Sequence, residues 1–276
     1  MKGKVILGIL AFCVVGIGNA QNVQIVDGAI QATFSVSPTK KVYFSQGNLQ
    51  YRPSTKLWRF AEHQYEYSPD ELGWLVEFGW ATSGWFSEES GTRYLVHGNT
   101  NFIEGDWEND MTGKYANADW GVYNAISNGG NKTGMWRTLT EKEWEYLLKK
   151  RPQAEMLITS ASVHGITGLI LLPDASESYI VPSFDTRYLH DYSDEEWQHL
   201  ESEGAVFLPF PNISREPTTI YWTSSNIKYL CCPKYNSSIM NVGIGMFSGI
   251  GSGQLEERYR TRKGCVRLVH LVHARM

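Results

Sequence analysis

A chain that signals helices at two places and short strands almost everywhere else cannot be a helical bundle or a doubly wound sheet. The first signal is Thr140-Glu141-Lys142-Glu143, a Thr-x-x-Glu capping box. Trp144, Leu147, Leu148 and Arg151 follow at helical spacing, and Pro152 stops the run. The second is Ser193-Asp194-Glu195-Glu196, followed by Trp197 and Leu200 on one face and by Gly204 as the breaker. Each predicted helix buries a tryptophan and exposes acids, so each packs on a sheet with one face wet. Elsewhere the pattern is strand-like: 31–36, 42–44, 49–51 and 58–60, punctuated by Pro38, Gly47-Asn48 and Pro53-Ser54. Further strands are expected at 163–172 around a turn at Gly165, then at 205–208, 220–225, 238–247 and 265–272. Few helices among many short strands, without βα alternation, predict an α+β fold. The stretch 84–134, rich in Gly, Asn, Asp and Trp, reads as long irregular structure.

The composition supports a large core. The chain has 276 residues, 42% of them hydrophobic, with 10 Trp, 15 Tyr and 11 Phe. That excludes a disordered chain. Trp58, Trp120, Trp136, Trp144, Trp197 and Trp222 fall in expected core elements. Trp85, Tyr94, Trp107, Tyr179, Tyr188, Tyr192, Tyr229 and Tyr235 are left for a surface. A formal net charge of −4 gives no reason to expect nucleic acid or an anionic membrane as a partner.

The first twenty residues read as a signal peptide. Lys2 and Lys4 precede an apolar run from Val5 to Ile17, and Gly18-Asn19-Ala20 supplies small residues for cleavage near Ala20. The run is too short to span a bilayer, and no later stretch suits a membrane span. We therefore expect a secreted protein, in the periplasm or at the cell surface. Cys231, Cys232 and Cys265 remain after cleavage. An odd number leaves at least one thiol unpaired within the chain. Adjacent cysteines rarely bridge each other, and buried unpaired cysteines are favoured over a bridge to Cys265.

Several phrases in order resemble a known group: Val42-Tyr43-Phe44-Ser45-Gln46-Gly47-Asn48-Leu49-Gln50-Tyr51, Ala118-Asp119-Trp120-Gly121, Asn124-Ala125-Ile126-Ser127-Asn128-Gly129-Gly130-Asn131 and Trp136-Arg137-Thr138-Leu139-Thr140 with Glu143-Trp144. Later come Gly168-Leu169-Ile170-Leu171-Leu172-Pro173-Asp174, Gly204-Ala205-Val206-Phe207-Leu208-Pro209, Tyr221-Trp222-Thr223-Ser224-Ser225 and Gly264-Cys265-Val266-Arg267-Leu268-Val269. Together, from about 40 to 270, the chain resembles exported Bacteroides-type proteins with a C-type-lectin-like domain. That domain type is related to the formylglycine-generating-enzyme and major paralogous domain groups. The resemblance implies two short helices packed on a twisted, mostly antiparallel sheet with long loops. With the signal peptide at 1–20, the chain is expected to divide further into an N-terminal strand or lead-in (21–37) and the lectin-like domain (38–276). The group usually has Ser where this chain has Cys265, and Phe210-Pro211-Asn212-Ile213-Ser214-Arg215 departs from its small residues after Leu-Pro.

By the same resemblance, the segment 221–235 carries the ligand contacts, with Tyr221, Asn226, Lys228, Tyr229 and Tyr235 as candidates. The function implied is an exported, non-catalytic binding or adhesion module for a glycan or protein ligand. Two alternatives stand beside it. One is an enzyme, a diverged relative of the formylglycine group or a carbohydrate-active protein. The other is a structural subunit of a surface appendage that donates 21–36 as a strand. The enzyme branch needs a reactive cysteine pair, and Cys231-Cys232 does not match its arrangement. Calcium needs several converging oxygens. Asp106-Trp107-Glu108-Asn109-Asp110 with Asp119, and Glu216-Pro217-Thr218, do not complete a calcium motif and read as loop acids. His190, His199, His270 and His273 lack the spacing of a zinc site. The glycine ladder Gly243, Gly245, Gly249, Gly251 and Gly253 lacks the context of a phosphate loop. No cofactor is assigned, and calcium is the one cation to test.

Overall fold

The computed structural model describes residues 22–67, 73–81, 83, 109–178, 180, 189–210, 220–225, 228–231, 243–246 and 264–272. The chain starts with a hairpin of β1 (Ile25–Val26) and β2 (Ala29–Ile30). The strands β3 (Phe34–Ser35) and β4 (Lys41–Phe44) pair antiparallel, and β5 (Leu49–Arg52) pairs with β6 (Leu57–Phe60). Next come α1 (Trp120–Tyr123) and α2 (Glu141–Glu145), which runs on into a π-helical turn over Tyr146–Lys150. Strands β7 (Ile158–Val163) and β8 (Ile166–Leu171) follow, then β9 (His190–Tyr192), α3 (Asp194–Ser202) and β10 (Val206–Pro209). The last elements are β11 (Ile220–Trp222), β12 (Lys228–Cys231), β13 (Gly243–Met246) and β14 (Val269–Leu271).

The described residues form a mixed α+β protein with several small sheets and few short helices. One sheet has the order β10-β8-β7-β9, a second β11-β12-β13 and a third β14-β4-β3. Pairing between these strands is antiparallel except between β7 and β9. Both capping boxes form as the sequence predicts. Thr140 accepts from the Glu143 amide and Ser193 from the Glu196 amide, while each glutamate reaches back to its cap. Helix α1 departs from expectation, since it lies in the stretch that reads as irregular.

The β7–β8 turn shows why Gly165 punctuates the chain. Val163 pairs with Ile166, leaving His164 and Gly165 as a two-residue loop with φ of 50° and 73°. Positive φ at both positions matches the twist of the flanking strands.

Strands β8 and β10 are covered on both faces. Leu169, Leu171, Val206 and Leu208 pack toward Trp144, Leu147 and Leu148 of the α2 layer. The alternate residues Ile170, Leu172, Ala205 and Phe207 pack toward Trp197 and Leu200 of α3. Side chains alternate along a strand, so two covered faces require the continuous apolar run Leu169-Ile170-Leu171-Leu172. A third cluster gathers Trp58, Trp80, Trp120, Trp136 and Trp222 with Phe60 and Phe78. All six tryptophans assigned to the core are buried, and Trp74 and Trp80 join them. Trp85, Tyr94, Trp107, Tyr179 and Tyr188 lie outside the described residues.

Gly121 sits where the backbone of α1 meets Trp136. A Cβ there would lie 2.6 Å from the Trp136 carbonyl carbon and oxygen. Gly121→Ala is therefore expected to cost about 2–3 kcal/mol, the usual range for overpacking. A urea denaturation midpoint unchanged from the parent would refute that tight approach.

Candidate ligand-binding site

The segment expected to contact ligand grows from a firmly held base. Strand β12 lies between β11 and β13, with Tyr229 opposite Trp222 on one side and Gly245 on the other. The Trp222 amide donates to the Cys265 carbonyl and its indole to the Phe78 carbonyl at 2.6 Å. The Ser224 amide donates to the Leu139 carbonyl, and the Ser225 hydroxyl accepts from the Glu141 amide at 2.9 Å. The phrase Tyr221-Trp222-Thr223-Ser224-Ser225 thus ties β11 to the N-terminus of α2.

Tyr221 corrects one expectation. It is 0% exposed. Asn48 Nδ2 donates to its hydroxyl oxygen at 2.9 Å, and the hydroxyl donates to the Pro209 carbonyl at 3.3 Å. Burial, with Cys265 beside it, pushes its phenol well above the ordinary range. Its ring and hydroxyl are committed to the interior, so Tyr221 anchors the strand and does not face a ligand. Lys228 and Tyr229 occupy the first two positions of β12. Asn226 and Tyr235 lie outside the described residues, as do Cys232, Asp106, Glu108, His273, residues 216–218 and the glycines at 249, 251 and 253.

The other phrases are joints of the same kind. Asp119 caps α1 by accepting from the Gly121 amide, and it also accepts from the Thr138 amide and hydroxyl. Its carboxylate therefore accepts three hydrogen bonds from within the chain. Burial raises its carboxyl, against the opposing hydrogen bonds of Thr138 and Gly121. Arg137 holds Glu143 with two bonds of 2.7 and 2.8 Å. Burial alone would raise the Glu143 carboxyl, but Arg137 and the Thr140 cap together hold it below its usual value. Asp174 accepts from the Ser35 amide and hydroxyl and pairs with Lys41 and Arg151.

Cys265 is a free, buried thiol, and burial with nearby Glu77 pushes it well above the ordinary thiol range. A thiol held protonated is a poor nucleophile. Each described histidine of the α3 region meets a carboxylate: His164 with Asp194 at 3.3 Å, His190 with Glu196 at 3.4 Å and His199 with Glu203 at 3.5 Å. Among the described residues, no three His, Cys, Asp or Glu side chains are placed to share a metal ion. None of the described helices is long and apolar enough to cross a membrane.

A surface group has no counterpart in the sequence reading. His63 and Tyr65 stack with ring centroids 5.2 Å apart and planes within 4°, and the His164 ring lies 4.0 Å from Tyr65 with planes tilted by 39°. These rings come from the loop after β6 and from the β7–β8 turn, far apart in the chain, so no local pattern joins them.

Comparison of the chain with protein-family models, curated proteins and solved structures returns no match. What is defined is the class: an α+β protein of small, mostly antiparallel sheets.

Proposed function

We propose that this protein is an exported, non-catalytic binding or adhesion module of C-type-lectin-like fold. It recognises a glycan or protein ligand through its loops and late strands, with Asn226, Lys228, Tyr229 and Tyr235 making the contacts. The observation that supports this reading is the setting of β12. That strand is paired on both sides, and its neighbour β11 is sewn to the core and to α2. Recognition benefits from such rigidity, because less freedom is lost on binding.

The other two readings draw less support. Residues 29–36 are packed in the chain's own core, with Phe34 0% exposed, which leaves little of 21–36 to donate to a neighbour. Of the enzyme alternatives, the formylglycine branch needs an activated thiol, whereas burial pushes the Cys265 thiol well above its ordinary range.

The test is a glycan array with a parallel calcium titration of the protein. We expect saturable binding that Tyr229→Ala and Lys228→Ala each weaken by about tenfold, the loss typical of an anchor residue. Unchanged binding by both variants, with unchanged melting, would remove the assignment of this segment. If no glycan binds, and neither calcium nor chelator shifts melting, the glycan and calcium readings both fall.

A further inference from the structure

We propose that the ring stack His63–Tyr65–His164, with Asp194 at its rim, is a second binding site, and that its ligand is a neutral saccharide. The argument begins with Gln64. This residue is 2% exposed, between an exposed His63 and a partly buried Tyr65. Its amide oxygen accepts from the Phe207 amide at 2.9 Å and from Arg267 Nη2 at 2.7 Å. Its nitrogen donates to the Ala205 carbonyl at 2.9 Å and to Glu201 at 3.1 Å. Gln64 therefore clamps the loop to β10 and to a buried arginine. His63 and Tyr65 flank the clamp and are presented in fixed positions. A second lock lies at His63 itself: its amide donates to Glu66 Oε1 at 3.0 Å, and the Glu66 amide returns a bond to the His63 carbonyl.

The third ring is held as firmly. His164 sits in the tight β7–β8 turn, and its Nδ1 lies 3.3 Å from Asp194, the first residue of α3. The Asp194 side chain is 72% exposed, so it keeps acceptor capacity toward solvent. Beside this rim, His190 packs edge-on against Tyr192 at 4.4 Å. Tyr192 is placed there by the parallel pairing of β9 with β7, opposite Val163.

A pyranose displays a flat face of C–H groups and a rim of hydroxyls that both donate and accept. The ledge offers the complement of each. The exposed rings of His63 and His164 supply π surface. Imidazole N–H groups donate, and Asp194 accepts. Glu66 and Glu201 stand close enough to help raise the Tyr65 phenol, after the effect of its own burial. The Tyr65 hydroxyl can donate or accept. A cationic ligand would use only the acceptors and would leave the imidazole N–H donors unmatched. An anion would meet Glu66, Asp194 and Glu201. A neutral sugar uses every group present, and the clamps order the site before it arrives.

This site shares no residue with β12, so the two can be tested apart. Binding of tetra-N-acetylchitotetraose, cellotetraose, maltotetraose and mannotetraose to the whole protein is measured by calorimetry and saturation-transfer NMR. At least one is expected to bind and to shift the ring protons of His63 and His164. Tyr65→Ala should weaken that binding by about tenfold and Asp194→Asn by about fivefold. His63→Ala, at an exposed position, should weaken it as well without changing melting, which guards against a folding defect in the Tyr65 variant. Lys228→Ala should leave it unchanged. The proposal is overturned if none of the four binds at millimolar concentration, or if His63→Ala and Tyr65→Ala bind as the parent does. It is also overturned if oligolysine displaces the saccharide from these rings at lower concentration.

Discussion

Asp119→Ala is expected to destabilise the protein by about 4 kcal/mol, because three buried donors lose their acceptor together and each such loss costs about 1–3 kcal/mol. Those donors are the Gly121 amide, the Thr138 amide and the Thr138 hydroxyl, and water cannot replace the lost oxygen at a residue 1% exposed. Asp119→Asn keeps one acceptor oxygen but turns an N–H₂ toward Thr138, so about half that loss is expected. The two variants differ in pH dependence from the parent. Burial raises the folded carboxyl above its unfolded value, so the native state retains a proton that the unfolded state has released. Stability from this source is full below the unfolded carboxylate range and declines as pH rises through the folded value. Urea denaturation from about pH 4 to about pH 8 should show that decline in the parent and lose it in Asp119→Asn. A parent whose stability climbs over the same window through this residue, judged by the difference from the Asn variant, would reverse the assignment.

The second large effect is an asymmetry. Asp174→Ala should cost about 3–5 kcal/mol, since it strands a charge in the interior. Arg151 has a side chain 0% exposed, and burial has already lowered its pKa to about 10 against the support of Asp174. Removing the arginine is milder. In Arg151→Met the methionine fills much of the space beside Phe34, and Asp174 still has Ser35 and Lys41. About 1 kcal/mol is expected, because a buried ion pair is often replaced by apolar side chains at little cost. The double variant should recover a good part of the Asp174→Ala loss. Equal losses in both single variants, measured by chemical denaturation, would show that the pair is not what governs this joint.

These two residues show what the sequence carries and what it does not. The phrases containing Asp119 and Asp174 stand out in the chain, yet their partners Thr138, Ser35 and Arg151 lie 19, 139 and 23 positions away. A phrase marks that a residue is needed; only the fold reveals by what. Capping boxes are legible because Thr140 and Glu143, or Ser193 and Glu196, meet within one helical turn. The run at 163–172 is legible around Gly165, but its division into β7 and β8 begins earlier, at Ile158, where the signal is mixed with Thr and Ser. Helix α1 leaves no signal because four residues are too few to show a period. Tyr221 misleads for a related reason. A tyrosine carries a polar tip in core and surface alike, and its true partner Asn48 is 173 residues away. His63, Tyr65 and His164 are invisible as a group because stacking across separate loops leaves no trace in local order.

The double cover of β8 and β10 bears on motion as well as packing. A sheet dressed on one side can bend or slide away from its single layer; one dressed on both sides acts as a party wall between two rooms. The α2 layer and the α3 layer lean on the same run, 169–172, and on its neighbours in β10. Neither layer can shift without pressing on the other through that shared backbone. His164 joins this braced frame directly, in the turn that links β7 to β8.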